Sequence, residues 1–195
     1  MNATNRINDL LNKKDWTGAR RIIFSELKEK PNKHWLLDQL ASTYYEEKNY
    51  RQAKEILEQA LTVMPTCPLV LWDYAGTLDM LGQRQKAMRI YKKLLRTSDQ
   101  KYDECWESKE WATSLKTDCK YRLGCYYRGL GKLTTAFGYF ESYFADLEKG
   151  VDSIYKENIK YDIVNQSEAR ACSWGQSPNI GERDSRFTFE SALAS

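Results

Sequence analysis

The chain has 195 residues, of which 30 are Lys or Arg and 27 are Asp or Glu, so its formal net charge is +3. This charge is too small to indicate a polyanionic partner, and nucleic acid is therefore an unlikely ligand. No segment approaches the ~20 consecutive apolar residues of a membrane span, and the N-terminus lacks the apolar core of a secretory signal. A cytoplasmic protein that does not bind membranes is predicted.

The residues that usually carry chemistry are sparse. The five cysteines include no CxxC pair, and His34 is the single histidine, so no zinc-ligand spacing is present. His34 begins a predicted helix far from any catalytic motif, and the chain has neither a GxGxxG nor a GxxxxGK[ST] phosphate loop. We therefore predict no metal, no cofactor and no enzymatic activity.

A small residue recurs at a fixed interval. Ala19, Ala53 and Ala87 lie 34 residues apart, and Ala136 follows after 49, which is one more period plus an insertion of 15. The position twelve residues before each alanine holds, in order, Ile7, Ala41, Ala75 and Gly124, and the position nine before holds Leu10, Tyr44, Leu78 and Tyr127. Apolar residues at steps of three and four mark one face of a helix. Each unit is thus predicted to contain two helices.

The predicted units cover about residues 1–32, 33–66, 67–99 and 100–149. In the second unit the helices span about 33–47 and 50–63, and Pro65 stops the chain. In the third unit they span about 68–81 and 84–97, and Gly82 supplies the left-handed residue between them. Because one helix pair cannot bury its apolar side alone, the pairs are expected to stack.

This pattern resembles the tetratricopeptide repeat, a 34-residue pair of antiparallel helices with small residues at two places and a closing proline. The resemblance covers about three quarters of the chain and is strongest over residues 33–98. It departs from the pattern at Arg6, which stands at a usually apolar place, at Asp99 in place of proline, and at Lys120 in place of a large apolar residue. The resemblance implies an all-α fold, a right-handed α-solenoid of about four helix pairs within an array over residues 1–164.

The inserted residues precede the fourth unit. From about Asp103 to Leu130 there is no proline, and apolar residues recur at intervals of three to five, which predicts one long helix. Trp106 and Trp111 lie on this insertion. They either pack back on the preceding helix near Tyr91 or form an aromatic lip on a binding groove.

Two segments follow the fourth unit. Residues 151–164 have a loose helical period, as expected of a capping helix that shields the last repeat. Residues 165–195 are rich in small, polar and turn-forming residues without a period, which predicts a flexible tail. Phe187 and Phe189 in this tail are either a short docking segment or a part that folds back on the array.

Tetratricopeptide arrays usually bind partners through a concave surface lined by the first helix of each unit. The resemblance therefore assigns partner contacts to Trp35, Asp38 and Tyr45, to Trp72, Asp73 and Asp79, and to Tyr121, Arg122 and Arg128, with Trp106 and Trp111 beside them. The acidic residues of this set would pair with positive groups of an extended or helical peptide. Arg122 and Arg128 would pair with a negative group of the same peptide.

The leading hypothesis is a non-enzymatic adaptor or scaffold that binds a peptide or protein partner in this groove. A secretion-type chaperone for a protein client is an alternative, because such chaperones have short arrays of similar size. An RNA-binding repeat protein is less favoured, because the basic cluster at Arg20 and Arg21 is interrupted by acidic residues and is interpreted as a solvated helix face. Self-association could also bury exposed tryptophans, so a homo-oligomer remains open.

Overall fold

The computed structural model describes residues 2–97 and 108–156, and the regular secondary structure in these ranges is helical, with no strand. The helices are α1 (Ala3–Asn12), α2 (Trp16–Glu29), α3 (His34–Glu46), α4 (Tyr50–Val63), α5 (Pro68–Met80), α6 (Arg84–Arg96), α7 (Lys109–Gly129) and α8 (Leu133–Glu148). The described residues divide into two compact units, one ending at Ile90 and the other beginning at Tyr91. The prediction of an all-α helical repeat is confirmed.

The turn inside each helix pair is built at equivalent positions. Asp15 and Asn49, 34 residues apart, cap α2 and α4 by accepting hydrogen bonds from the backbone N–H groups three residues later, at 2.8 and 3.3 Å. The residues with positive φ in these turns are Lys14, Lys48, Gly82 and Gly131. Because a lysine in this conformation costs about 1–2 kcal/mol, helix pairing rather than local preference determines these turns.

In the unit that ends at Ile90, α1 pairs with α2 and α3 pairs with α4, while α2 packs on α3 and α4 packs on both α3 and α5. The small residues of the repeat are fully buried, namely Ala19, Ala41, Ala53, Ala75 and Ala87. Their short side chains let neighbouring helices approach closely, and Ile23 and Leu57 fill the space beside them. The alanine period therefore corresponds to the helix packing.

Polar and aromatic side chains join successive helix pairs. Arg20, one residue after Ala19, donates from α2 to both Glu47 carboxylate oxygens at 2.7 and 2.9 Å, and it lies 4.8 Å from the centre of the Tyr44 ring. Glu58, in α4, accepts a hydrogen bond from the Tyr74 hydroxyl of α5 at 2.8 Å. The interpretation of Arg20 as part of a solvated helix face is wrong, because this side chain bridges two helix pairs.

In the unit that begins at Tyr91, α7 packs along α8. Lys92 donates to the Tyr127 hydroxyl of α7 at 2.5 Å. Lys120 forms an ion pair with Asp146 of α8, and Asp146 also accepts a hydrogen bond from Thr117 at 2.7 Å. The charge at position 120, unexpected for the repeat, is thus paired with a carboxylate on the neighbouring helix.

The long helix is confirmed, but its predicted start at Asp103 is wrong. α7 has 21 residues, whereas α3 and α5 have 13 each. It begins only after Ser108, whose backbone is extended and whose Oγ accepts a hydrogen bond from the Trp111 N–H at 3.2 Å. A serine side chain that satisfies a free N–H group in this way defines the helix start.

The capping helix does not begin at Val151 as predicted. Gly150 has a φ of +83° and follows the end of α8, and residues 151–156 contain no helix. Such a left-handed glycine commonly terminates a helix. The rest of the predicted cap, the tail over residues 165–195 with Phe187 and Phe189, and Asp99 lie outside the described residues.

Two glycines provide a matched test of the α7–α8 packing. A Cβ atom on Gly124 would lie 2.7–2.9 Å from carbons of the Phe140 ring, whereas one on Gly138 would meet no described atom within 4 Å. We expect Gly124→Ala to lower the free energy of unfolding by about 1–3 kcal/mol through overpacking. Gly138→Ala should raise it by about 0.5–1 kcal/mol, because alanine favours the helix. Urea unfolding followed by circular dichroism measures both, and equal stabilities would contradict the close approach of the two helices.

Candidate partner-binding surfaces

Helices α3 and α5 pack against each other and both pack on α4. Their candidate residues occupy matching repeat positions, because residues 35, 38, 39 and 45 of α3 correspond to residues 69, 72, 73 and 79 of α5, 34 positions later. The helical period puts these positions on one side of each helix. The α3–α5 face is defined here by Trp35, Asp38, Tyr45, Trp72, Asp73 and Asp79.

The aromatic side chains of the α3–α5 face are partly exposed. Trp35 lies in the first turn of α3 and Trp72 in the second turn of α5, and both are partly accessible to solvent. Tyr45 meets Tyr50 of α4 edge to face, with the ring centres 5.1 Å apart. Asp73, adjacent to Trp72, is also partly exposed. This face therefore combines broad apolar rings with a carboxylate.

Two carboxylates of the α3–α5 face are buried. Asp38 is 0% exposed, and its Oδ2 accepts a hydrogen bond from Gln39 Nε2 at 3.2 Å. The Asp79 side chain is 6% exposed and lies 3.7 Å from Nε of Arg84, just beyond the Gly82 turn. We expected Asp38 and Asp79 to present their carboxylates to a partner, and the burial of both side chains corrects this expectation. Helical periodicity had indicated the side of the helix but not the depth of the side chain.

On α7, the predicted contact Tyr121 is covered by other aromatic rings. It stacks on Tyr155 with ring centres 4.5 Å apart and an interplanar angle of 19°, and only 9% of Tyr121 is exposed. Tyr143 of α8 lies against it at 5.4 Å. Tyr121 is therefore a core aromatic residue in this unit, and the expectation of an open contact is corrected.

Residues 151–156 are held against α7 and α8 by Ser153. The Ser153 hydroxyl donates to Asp118 Oδ1 at 2.5 Å and accepts a hydrogen bond from the Tyr155 N–H at 3.0 Å. Because its proton is committed to Asp118, the Tyr143 hydroxyl 2.9 Å away donates to it. All four residues are buried. We refer to Asp118, Tyr143, Ser153 and Tyr155 as the buried polar cluster.

Burial raises the pKa of Asp118 to about 8, and the Asp152 carboxylate contributes in the same direction. Hydrogen bonds from Ser153 and from the Ile154 N–H oppose this shift, because they favour the charged carboxylate. Burial also raises the pKa of the Tyr143 hydroxyl and of the Cys119 thiol. Asp118 is therefore mostly a neutral acid at pH 7, which reduces the cost of placing it in the core.

The remaining predicted contacts of this unit lie along α7. The Arg122 guanidinium is 5.8 Å from the centre of the Tyr91 ring, and that of Arg128 is 5.7 Å from the Phe140 ring, both within the range of cation–π attraction. Trp111 lies in the first turn of α7 and is partly exposed. Trp106 lies outside the described residues. The two arginines are thus oriented by aromatic rings while remaining partly exposed.

Three structurally important residues were missed from sequence. The ion pair of Arg20 could not be predicted from local sequence, because its partner Glu47 is 27 residues away. Ser153 and Tyr155 lie in a segment whose loose period had indicated a helix. One signal was available, since Gly150 directly follows the charged end of α8, and glycine at such a place commonly ends a helix.

Within residues 2–97 and 108–156, no group of three or more His, Cys, Asp or Glu residues could hold a metal ion. His34 is the first residue of α3, and its partial burial lowers the imidazole pKa, as does the nearby Lys33 charge. No helix in these described ranges has the length and apolar character needed to cross a membrane.

Part of the chain is similar to a known repeat family. The tetratricopeptide repeat family model matches residues 44–107. A solved structure described as the crystal structure of MamA has 20% sequence identity to the chain, covering 73% of this chain and 94% of that chain, with a TM-score of 0.43. No curated protein matches the sequence.

Asp118 makes stability depend on pH. Because its pKa is about 8 in the folded chain and about 3.9 in an unfolded one, the folded state keeps a proton that the unfolded state has lost between these values. This contribution to the free energy of unfolding is complete below about pH 4 and is lost as the pH rises through about 8. We expect Asp118→Asn, which stays neutral, to flatten this dependence in urea unfolding between about pH 5 and 8.

The exposed Glu55 of α4 provides the control. Glu55→Gln should leave the pH dependence of the wild type unchanged. If the stability difference between the wild type and Asp118→Asn is the same at every pH in this range, Asp118 does not hold its proton in the fold.

Proposed function

We propose that this protein, of which residues 44–107 match the tetratricopeptide repeat family model, is a non-enzymatic adaptor that binds a peptide or protein partner through the first helices of its helix pairs. The observation that carries the proposal is the pair of partly exposed tryptophans, Trp35 and Trp72, on the adjacent helices α3 and α5. Tryptophan is enriched among the few residues that dominate binding energy at protein interfaces.

The charge of the α3–α5 face indicates the chemistry of the partner. Asp73 is its partly exposed carboxylate, and Glu46, next to Tyr45 in the sequence, is also partly exposed. The carboxylates of Asp38 and Asp79 are buried. A partner segment with an apolar anchor for the tryptophans and a Lys or Arg beside it fits this combination. Opposite charges of this kind contribute mainly to specificity and to the rate of association, and either an extended or a helical peptide can present them.

The arginines of α7 form a separate candidate contact in the unit that begins at Tyr91. Arg122 and Arg128 are partly exposed and each lies over an aromatic ring. A guanidinium held in this way is pre-organised to pair with a carboxylate. We assign them to a negative group of a partner, while Tyr121 supports α7 from within the core.

The proposal predicts which peptides the protein selects. Panning a random peptide library against the full chain should enrich sequences that combine a large apolar residue with Lys or Arg. For such a peptide, Trp72→Ala should weaken binding by about thirtyfold, the size typical of an interface hot spot. Asp73→Asn keeps the side-chain shape and should reduce both affinity and its salt dependence. Isothermal titration calorimetry measures the affinities, and circular dichroism confirms that helicity is retained.

Trp16 of α2 provides a matched control, because it is also a partly exposed tryptophan but lies outside the α3–α5 face. Trp16→Ala should leave peptide affinity unchanged. Unchanged affinity in Trp72→Ala would refute the assignment of this face. Binding to mixed-sequence RNA that falls steeply with salt and does not depend on Trp72 would point to the RNA-binding alternative instead.

A further inference from the structure

The outer side of α8 presents large apolar side chains to solvent. Leu133 is 66% exposed and Phe137 is 62% exposed, and they lie one helical turn apart. Glu141 continues the same side one turn later and is also exposed. No ion pair of Glu141 occurs among the residues that the structure describes. Such adjacent exposed apolar residues are unusual without an interaction partner.

In earlier helix pairs, the positions equivalent to Phe137 and Glu141 take part in contacts with the next pair. Three contacts between successive helix pairs start from the first or the fifth residue after the buried alanine of a second helix. Arg20 is a first residue and contacts Tyr44, while Glu58 and Lys92 are fifth residues and contact Tyr74 and Tyr127. Their partners lie nine or thirteen residues before the alanine of the next pair. The side of the helix that carries these two positions is thus the stacking side of the repeat.

On α8 the first and fifth positions after Ala136 are Phe137 and Glu141. The stacking side of the last described helix pair is therefore the exposed side noted above. No described helix follows α8. An apolar residue and a carboxylate are consequently presented where earlier pairs receive another helix.

The complementary positions occur on α1. Nine and thirteen residues before Ala19 stand Leu10, which is partly exposed, and Arg6, which is exposed. At the position of Arg6 the later units have Leu40, Tyr74 and Leu123. Leu40 and Leu123 are buried. Arg6 is thus a cation at a position that is usually apolar in this repeat.

We propose that a second copy of this chain docks its α1 on the stacking side of α8. Applied to this junction, the pairings of Arg20 with Tyr44 and of Glu58 with Tyr74 join Phe137 with Leu10 and Glu141 with Arg6. An apolar residue then meets an apolar residue, and a carboxylate meets a guanidinium. This charge complementarity selects a second copy as the occupant. It also explains the choice of arginine at position 6, which has no ion pair among the described residues.

The proposed contact is heterologous, because α8 of one copy meets α1 of the next. Such a contact joins two different surfaces, so each copy carries both halves of the junction and association rises with concentration. A single layer of helices buries less than the ~800 Å² per partner of a standard interface. The association is therefore expected to be weak.

Sedimentation velocity of the full chain tests this proposal. The weight-average sedimentation coefficient should rise steadily up to about 1 mM protein. Arg6→Glu and Glu141→Arg each place like charges at the junction, and each should weaken association by about tenfold or more. An equimolar mixture of the two variants restores opposite charges at every mixed junction and should recover the association. The double variant should recover it as well.

Charge changes on outward positions of α4 are the matched controls. Arg51→Glu and Glu55→Arg alter the same charges at exposed sites away from the junction and should associate like the wild type. Circular dichroism confirms that each variant is folded. A full chain that remains monomeric at every concentration overturns the proposal. In that case residues 157–195 or another protein would be the candidates for covering α8. A Glu141→Arg defect that Arg6→Glu cannot correct also overturns it, because it indicates contact of α8 with a different surface.

Discussion

The helices of this protein can pack closely only because small residues lie where they cross. Ala19, Ala41, Ala53 and Ala75 are completely buried at these crossings, and an added Cβ at Gly124 would collide with the Phe140 ring. Isolated helices of 10–16 residues are marginal in water. Stacking of helix pairs buries their apolar sides and supplies the stability that each pair lacks. The 34-residue spacing of the small residues is therefore a condition for the fold.

Polar and aromatic groups connect one helix pair to the next. Arg20 combines an ion pair with Glu47 and a cation–π contact with Tyr44, and Glu58 accepts a hydrogen bond from Tyr74. Arg20 and Glu58 lie one and five residues after the buried alanine of their helices, so the two contacts use different positions of the repeat. The same positions define the stacking side of α8 and the complementary side of α1. The proposed partner-binding face lies on α3 and α5, whereas the proposed junction between copies involves α1 and α8.

The unit that begins at Tyr91 contains a network of buried hydrogen bonds. Ser153 joins the Asp118 carboxyl, the Tyr143 hydroxyl and the Tyr155 backbone, and Tyr155 stacks over Tyr121. Buried polar groups are tolerated when hydrogen bonds satisfy them. The turn at residues 151–156 thus covers the side of α7 that carries Asp118 and Tyr121. The high pKa of Asp118 follows from this burial, because desolvation favours the neutral acid.

The sequence by itself determined the all-α class, the helix pairs and the alanine at each crossing, because a period of 34 residues and steps of three and four are local properties of the chain. It also indicated a long helix that includes the insertion before the fourth unit. It placed Trp35 on the first helix of the second unit, and Trp72 and Asp73 on the first helix of the third unit, as candidate partner contacts. Only the tertiary structure decided that Asp38, Asp79 and Tyr121 are buried, that α7 starts after Ser108, and that residues 151–156 form a turn. Burial and ion pairing depend on groups far apart in sequence, such as Asp118 with Ser153 or Arg20 with Glu47, and a helical period contains no information about which distant side chains will meet.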